Sequence, residues 1–360
     1  MADARADALS GSEVIAYLIE EGVLPAEGPE PTARALGGGV SNDVFEVRAG
    51  ETCLVVKRPY PNLAVEDDWP ADVARVHNEA AAARAYERLF ADASVADATV
   101  PSVVFEDDDA HAIGIECAPG DARMWKAALL DGVVDPGVAE TLGRALGVVH
   151  AGAAGDRDLE ATFDDPAPFE QLRLDPYHRT VARRHPDVAD AVEAEIDRIE
   201  GVRRTLVHGD YSPKNVLVAE SEDGPGGETG PGKTAWILDF EVAHWGDPAF
   251  DLAFMCNHLL IKSVHNADRG EEFVAAARRF IDAYEGVIGR DPGTEWEVET
   301  PLVRELGVLM LARVDGKSPV EYTDEPTESR LRAASKRALT ERVENLDRFL
   351  AILAEERDSA

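Results

Sequence analysis

Two segments of the chain combine residue types and spacing that suit phosphoryl transfer. The first is HGDYSPKNVLV, His208 to Val218, in which Asp210 is followed five residues later by Asn215. In a loop between short strands, such an aspartate can accept or orient a hydroxyl proton. The asparagine can help hold a magnesium ion on phosphate oxygens. The second segment is ILDFEVAHWGDPAFDLA, and its Asp239 lies twenty-four residues past Asn215. Here a carboxylate closes a hydrophobic strand, at an edge where a hard cation binds through oxygen. Either segment alone is compatible with an Asx-turn or a helix cap. The order and spacing of the two together point to phosphotransfer.

HGDYSPKN followed by LDFE and DPAFDLA resembles the aminoglycoside-phosphotransferase and choline-kinase-like superfamily, distant relatives of the protein kinases. The resemblance implies that Asp210 is the catalytic base and that Asn215 and Asp239 are magnesium ligands. Glu241 stands where the protein-kinase motif has glycine, and it would join the metal shell directly or through water. His208 and Asp251 would be structural, the one fixing the catalytic loop and the other anchoring it from the following helix. Lys214, just before Asn215, would touch the γ-phosphate or pair with an acidic neighbour.

Upstream, the same resemblance assigns Lys57, at the end of CLVVK, to the α- and β-phosphates of ATP. Glu79, 22 residues later, would be its ion-pair partner, with Glu87 the competing candidate. LGGGVSNDVFEV (36–47) is the phosphate-covering loop by position. Gly37, Gly38 and Gly39 free the backbone for close approach, and Ser41 and Asn42 are possible donors. Asn42 can equally cap a tight hairpin. Glu116 to Pro119, with Glu116 and Ala118, would be the interlobe crossover that meets adenine. Because acceptor sites in such kinases are built from the helical lobe, Arg313, Asp315 and Lys317 in ARVDGKSPVEY are candidate substrate contacts. The alternative is a solvated interhelical loop.

The elements that must position these residues are legible as alternation and helical period. GSEVIAYLIEE (11–21) reads as an amphipathic helix capped by Ser10 or Ser12. Strands are expected over 33–37, 43–47, 53–57, 102–106 and 112–116, and a helix over 72–90. After CAPG the period turns helical, over 136–152, 187–200, 248–263, 270–287 and 326–356. Short β segments lie at 204–208, 216–219 and 235–240. ESEDGPGGETGPGK between the last two reads as a mobile hairpin tip without chemistry. The expected fold is α+β and bilobal, protein-kinase-like, with a β-rich N-lobe over 1–117 and a helical C-lobe over 118–360.

Composition narrows the setting. The chain of 360 residues carries 70 Asp and Glu against 36 Lys and Arg, a formal charge of −34, and only seven lysines. Such charge repels itself in the compact state unless salt screens it, and at about 1 M salt the Debye length is ~3 Å. A halophile's salt-rich cytoplasm is therefore expected. No basic stripe is present to meet nucleic acid. No apolar run is long enough to span a membrane, and the first residues lack the pattern of a signal peptide. Cys53, Cys117 and Cys256 sit singly in apolar runs and read as buried free thiols of a reducing compartment. Cys256, His258 and His265 share a helical stretch without metal spacing, so packing or cleft lining is their expected role. No heptad or exposed apolar stripe defines an oligomeric state.

The expected activity is in-line transfer of the γ-phosphoryl group of MgATP to a hydroxyl of a small molecule. The superfamily's acceptors include aminoglycosides, choline or ethanolamine, homoserine, fructosamines and methylthioribose. A sugar or amino alcohol is the preferred acceptor class here. The rivals are a pseudokinase, set against the intact set Lys57, Glu79, Asp210, Asn215 and Asp239, and a protein kinase, set against HGD, DFE and the lack of an APE-like segment.

Overall fold

The computed structural model describes residues 9–37, 41–64, 69–223, 229–289, 294 and 296–358. It opens with α1 (Gly11–Glu20), whose N-terminus is closed by a capping box. Ser10 accepts from the Glu13 N–H and Glu13 reaches back to Ser10. Strands β1 (Thr32–Ala35), β2 (Asn42–Ala49) and β3 (Thr52–Pro59) follow, then α2 (Arg75–Asp92), β4 (Ala98–Thr99), β5 (Val103–Asp107) and β6 (Ala112–Glu116). Five of these strands form an antiparallel sheet in the order β1-β2-β3-β6-β5.

Strand alternation decides what this sheet presents to each side. Val56 of β3 packs with Phe45, Val47, Val14 and Leu18 toward α1. Val55 and, by the same parity, Lys57 face α2, where Val76 and Ala80 meet Ile113 and Ile115. Lys57 is thereby delivered to the helix that carries Glu79.

The remainder is mainly helical. It runs through β7 (Arg123–Met124), α3 (Trp125–Leu130), α4 (Pro136–Ala153), α5 (Arg157–Thr162) and α6 (Ala167–Phe169) into a π-helical segment, Glu170–Arg179, with Pro176 inside it. Next come α7 (Thr180–Arg184), α8 (Ala189–Gly201), β8 (Thr205–Val207), β9 (Val216–Asp223), β10 (Thr229–Ile237) and β11 (His244–Gly246). Helices α9 (Pro248–His265), α10 (Gly270–Glu285), α11 (Glu299–Asp315), α12 (Glu325–Glu341) and α13 (Leu346–Asp358) close the chain. Asp135 and Asp247 cap α4 and α9 immediately before a proline at the helix start. One large core joins α2 to the helices of this region. Among the described residues no helix is long and apolar enough to cross a membrane.

Two expectations change. The single helix expected over 326–356 is two, because Arg342 takes a left-handed conformation (φ 51°) and Asn345 caps a new start by accepting from the Arg348 N–H. Helix α11 runs to Asp315 and so takes up the first four residues of the polar stretch expected over 312–322. Residues 224–228, the centre of the expected hairpin tip, lie outside the described residues.

The cysteines differ too. Cys53 and Cys117 form a disulfide, and only Cys256 is a buried free thiol. Leu54 pairs with Glu116 in the β3–β6 ladder, so the next rung sets Cys53 opposite Cys117 with 5.6 Å between Cα atoms. That register, invisible in the linear sequence, is why two isolated cysteines meet. The bridge spans 64 residues, and chain entropy gives such a loop about 4 kcal/mol. Cys117→Ser, or wild type under reductant, should unfold at a correspondingly lower denaturant concentration. Equal midpoints with and without reductant would remove the bridge from the account of stability.

Candidate active site

Two pairings carry the chemistry-bearing loops to one place. In the β9–β10 hairpin Val216 pairs with Ile237, so Asn215 and Leu238 emerge at the same end, and the Leu238 N–H donates to Asn215 O (2.9 Å). In the β8–β11 ladder Val207 pairs with His244, which sets His208–Asp210 against Val242. Gly209 has φ +76°, and a Cβ there would lie 2.7 Å from Val242 O, so only glycine fits. Asp239 is also left-handed, φ +72°. Aspartate tolerates this region better than most residues, and the strain falls where its carboxylate is aimed into the cleft.

The cleft is a cavity of about 430 Å³ lined by Gly37, Ser41, Lys57, Asp210, Lys214, Asn215, Asp239 and Glu241, among others. Lys57 Nζ lies 2.5 Å from Glu79 Oε1 and 3.1 Å from Asp239 Oδ1. Glu87 instead accepts from the Ser102 hydroxyl. Burial alone would lower the Lys57 ammonium, but the carboxylates of Asp239 and Glu79 raise it above the ordinary lysine value. Burial likewise opposes ionisation of Asp239, and Lys57 and Lys214 hold its carboxyl well below the usual range.

Asp210 is buried among cations. Arg173 Nη2 lies 2.9 Å from Oδ1 and Lys214 Nζ 2.9 Å from Oδ2. Against burial, Arg173 and then Lys214 keep the carboxyl below its ordinary value. Asn215 Nδ2 donates to Asp210 Oδ2 (2.8 Å) and to its main-chain oxygen (3.0 Å). The Asn215 carbonyl oxygen is therefore the group that can meet a cation.

The catalytic loop hangs from helix α9. Asp251 accepts from the His208 N–H (2.7 Å) and the Gly209 N–H (2.9 Å), and lies 3.3 Å from His150 Nε2. The His208 ring accepts at Nδ1 from the Asp210 N–H and faces Leu238 O through Nε2. One neutral tautomer satisfies both contacts, and burial lowers the imidazole's affinity for a second proton.

Other expected residues land differently. Glu241 Oε2 is taken by Arg75 Nε (3.0 Å) and Asn42 Nδ2 (3.2 Å). Asn42 thus ties the glycine-loop strand to the metal-type segment rather than capping a hairpin. Gly38 and Gly39 lie outside the described residues. Glu116 and Ala118 do not line the cavity, and the Glu116 N–H is committed to Ser102 O. Asp315 pairs with Arg332 and His185, and Lys317 with Asp175, so neither faces the cleft. Arg313 is buried behind it and donates to Tyr177 Oη (3.0 Å) and Ser318 Oγ (2.9 Å). The wall itself presents Ser318, Glu321, Tyr177 and Lys126.

Four residues that hold the site were not singled out from sequence. Arg75 bonds Glu241, Ser41 O, Tyr60 O and Asp72 O, and it lies one helical turn before Glu79, a spacing that could have signalled it. Arg173 and Tyr177 come from the π-helical segment, which has no 3.6-residue period to read. His150 bridges Asp251 and Tyr284 from α4.

Comparison with known proteins agrees with this architecture. The amicoumacin kinase hAmiN, solved with AMP-PNP, Ca2+ and Ami, is 14% identical, with a TM-score of 0.51 over 93% of this chain and 97% of that one. A choline/ethanolamine kinase family protein from Mesorhizobium loti is 20% identical, with a TM-score of 0.42 over 96% of this chain and 98% of that one. No curated protein matches the sequence. The model of the phosphotransferase enzyme family (APH) matches residues 32–296, well over half of the chain, and the chain belongs to that family.

Proposed function

We propose that the protein is an ATP-dependent kinase that phosphorylates a hydroxyl of a small molecule in the cleft bounded by Lys57, Asp210, Lys214, Asn215 and Asp239. The observation that carries this reading is the convergence of these residues, from distant parts of the chain, on one cavity of about 430 Å³. Lys57, held by Glu79 and Asp239, neutralises phosphate charge in the nucleotide. Asp210 takes the proton of the acceptor hydroxyl. As it does so, a new P–O bond forms to that oxygen and the bond from the γ-phosphorus to the β–γ bridging oxygen breaks, releasing ADP. Arg173 fixes the orientation of the Asp210 carboxylate. Lys214, beside Asp210, offsets charge on the transferring group.

The oxygens of Asp239 and Asn215 are hard donors of the kind magnesium selects, so the donor set fits that ion. When bound, magnesium neutralises phosphate oxygens and orients them. Glu241, tied to Arg75 and Asn42, acts on this account as a brace of the metal-type segment. On this reading the chain divides near Cys117 into two lobes, and Glu116 and Ala118 lie on the connector outside the cavity lining, so the adenine contact expected of them is not part of the proposal.

The acidic composition supports a salt-rich setting, whereas the Cys53–Cys117 bridge argues against the reducing cytoplasm expected from isolated thiols. Magnesium-dependent ATP consumption, measured in about 2–3 M KCl with sugars, amino alcohols and aminoglycosides, tests the reading. Turnover should require one acceptor class and collapse in Lys57→Met. Folded protein that binds no nucleotide would overturn the assignment of the cleft. Tight binding without turnover on any acceptor would favour the pseudokinase.

A further inference from the structure

The far wall of the cleft holds more positive charge than this chain's composition leads one to expect. Lys126, Arg173 and Lys214 line the cavity, and Arg313 and Lys262 stand behind it. Asp210 and Glu321 pair with them directly, while Asp239 and Glu241, also in the lining, pair with Lys57 and Arg75. Arg173 and Lys214 pair with Asp210, and Lys126 pairs with Glu321. Lys262 and Arg313 have no carboxylate at ion-pair distance among the described residues, although both are more than nine-tenths buried and the chain contains 70 acidic residues.

The donors of these two cations go to neutral groups. Lys262 Nζ contacts His258 O (3.1 Å) and Tyr322 Oη (3.2 Å). Arg313 bonds Tyr177 Oη and Ser318, and its buried Nε has no partner. Two tyrosine rings each sit between two cations. Tyr322 lies 5.8 Å from Lys126 and 4.9 Å from Lys262, and Tyr177 lies 5.6 Å from Arg173 and 5.7 Å from Arg313.

We propose that this wall is a seat for an oxyanion, so that the acceptor is a hydroxy compound bearing a carboxylate or phosphate group rather than a polycationic or choline-like one. This rests on the kinase reading of the cleft. The anion takes the place of Glu321 against Lys126, with the Ser318 and Tyr177 hydroxyls as neutral donors. Arg313 and Lys262 stand behind it with no carboxylate in direct contact among the described residues. A buried, unpaired cation is costly unless something bound balances it. Consistent with this, burial and then the nearby Lys126 and Arg313 push the Lys262 ammonium down to about 7. Polycations would meet repulsion on this wall.

The test is calorimetric titration of the full chain, saturated with Mg2+ and AMP-PNP at fixed KCl, with malonate, inorganic phosphate and choline in turn. Malonate or phosphate should bind with one-to-one stoichiometry and choline should not, and which oxyanion is preferred separates a carboxylate from a phosphate acceptor. Affinity should fall about tenfold or more in Lys126→Gln, the value of one charge-assisted contact, and should fall by a smaller factor in Lys262→Met, which removes a charge behind the seat. Lys262→Met should also raise the melting temperature of the ligand-free protein, which a purely structural lysine would not do. Choline binding, absence of binding by both anions, or anion binding indifferent to both substitutions would overturn the seat. If AMP-PNP itself fails to bind, the kinase reading falls instead, and malonate titration of the nucleotide-free chain still reads the seat.

Discussion

Asp210→Asn is expected to lower kcat about a thousandfold, in the middle of the range for loss of a positioned acid–base group, while nucleotide binding stays nearly unchanged. The substitution keeps the shape of the side chain and removes its charge. Arg173 and Lys214, each 2.9 Å from the carboxylate, are then left without their counter-ion. Breaking such a buried pair destabilises the fold, so kcat must be compared below the variant's own melting transition.

The direction of the Asp210 shift predicts the pH profile. Arg173 and Lys214 hold the folded carboxyl below its ordinary value despite burial. A depressed carboxyl is ionised above that value and loses its charge only as pH falls through it. The acid limb of kcat that belongs to Asp210 should therefore lie below about pH 4, the unperturbed aspartate value. A carboxylate this weak as a base accepts its proton late, when the attacking oxygen has lost electron density to phosphorus. Unchanged kcat in the asparagine variant would sink the assignment. An acid limb between pH 6 and 7, the ordinary range of histidine, would move the role to another group.

How much of this was legible in the sequence depended on whether the signal was local. Asp210, Asn215, Asp239 and Lys57 lie in short motifs at strand ends, and the elements around them have clear periods. Glu79 could be chosen over Glu87 only through the resemblance, yet the parity of β3 and the turn of α2 settle that contact geometrically. What sequence could not reach was anything fixed by register or by irregular backbone. The Cys53–Cys117 bridge depends on the rung beside Leu54 and Glu116. Arg173 and Tyr177 enter the cleft from a π-helical segment that contains a proline. The polar residues Asp315 and Lys317 looked like ligands of the acceptor. Tertiary packing matched them instead with Arg332, His185 and Asp175, and brought the neighbouring Ser318 and Glu321 to the wall.

Asp251→Ala should be among the most destabilising single substitutions in the chain, costing about 4 kcal/mol. The carboxylate is fully buried and accepts from two main-chain donors, the His208 and Gly209 N–H groups, with His150 beside it. Alanine leaves both donors without a partner, and each such orphan costs about 1–3 kcal/mol. That is a large part of an ordinary stability of about 5–15 kcal/mol. Asp251→Asn should fall between, because an amide oxygen serves one donor while its NH2 faces the other. The pH dependence carries a definite sign. Burial opposes ionisation, but contact with His150 and the neighbouring N–H groups hold the folded carboxyl below its ordinary value. The stabilisation is present above the unfolded value of about 3.9 and is lost as pH falls through the lower folded one. Denaturant unfolding at neutral pH should therefore rank the variants Asp, Asn, Ala, and the gap between wild type and Asp251→Ala should narrow only below about pH 4. An alanine variant within about 1 kcal/mol of wild type, the worth of one ordinary hydrogen bond, would mean that the two N–H groups find other partners. The catalytic loop would then not depend on α9 for its position.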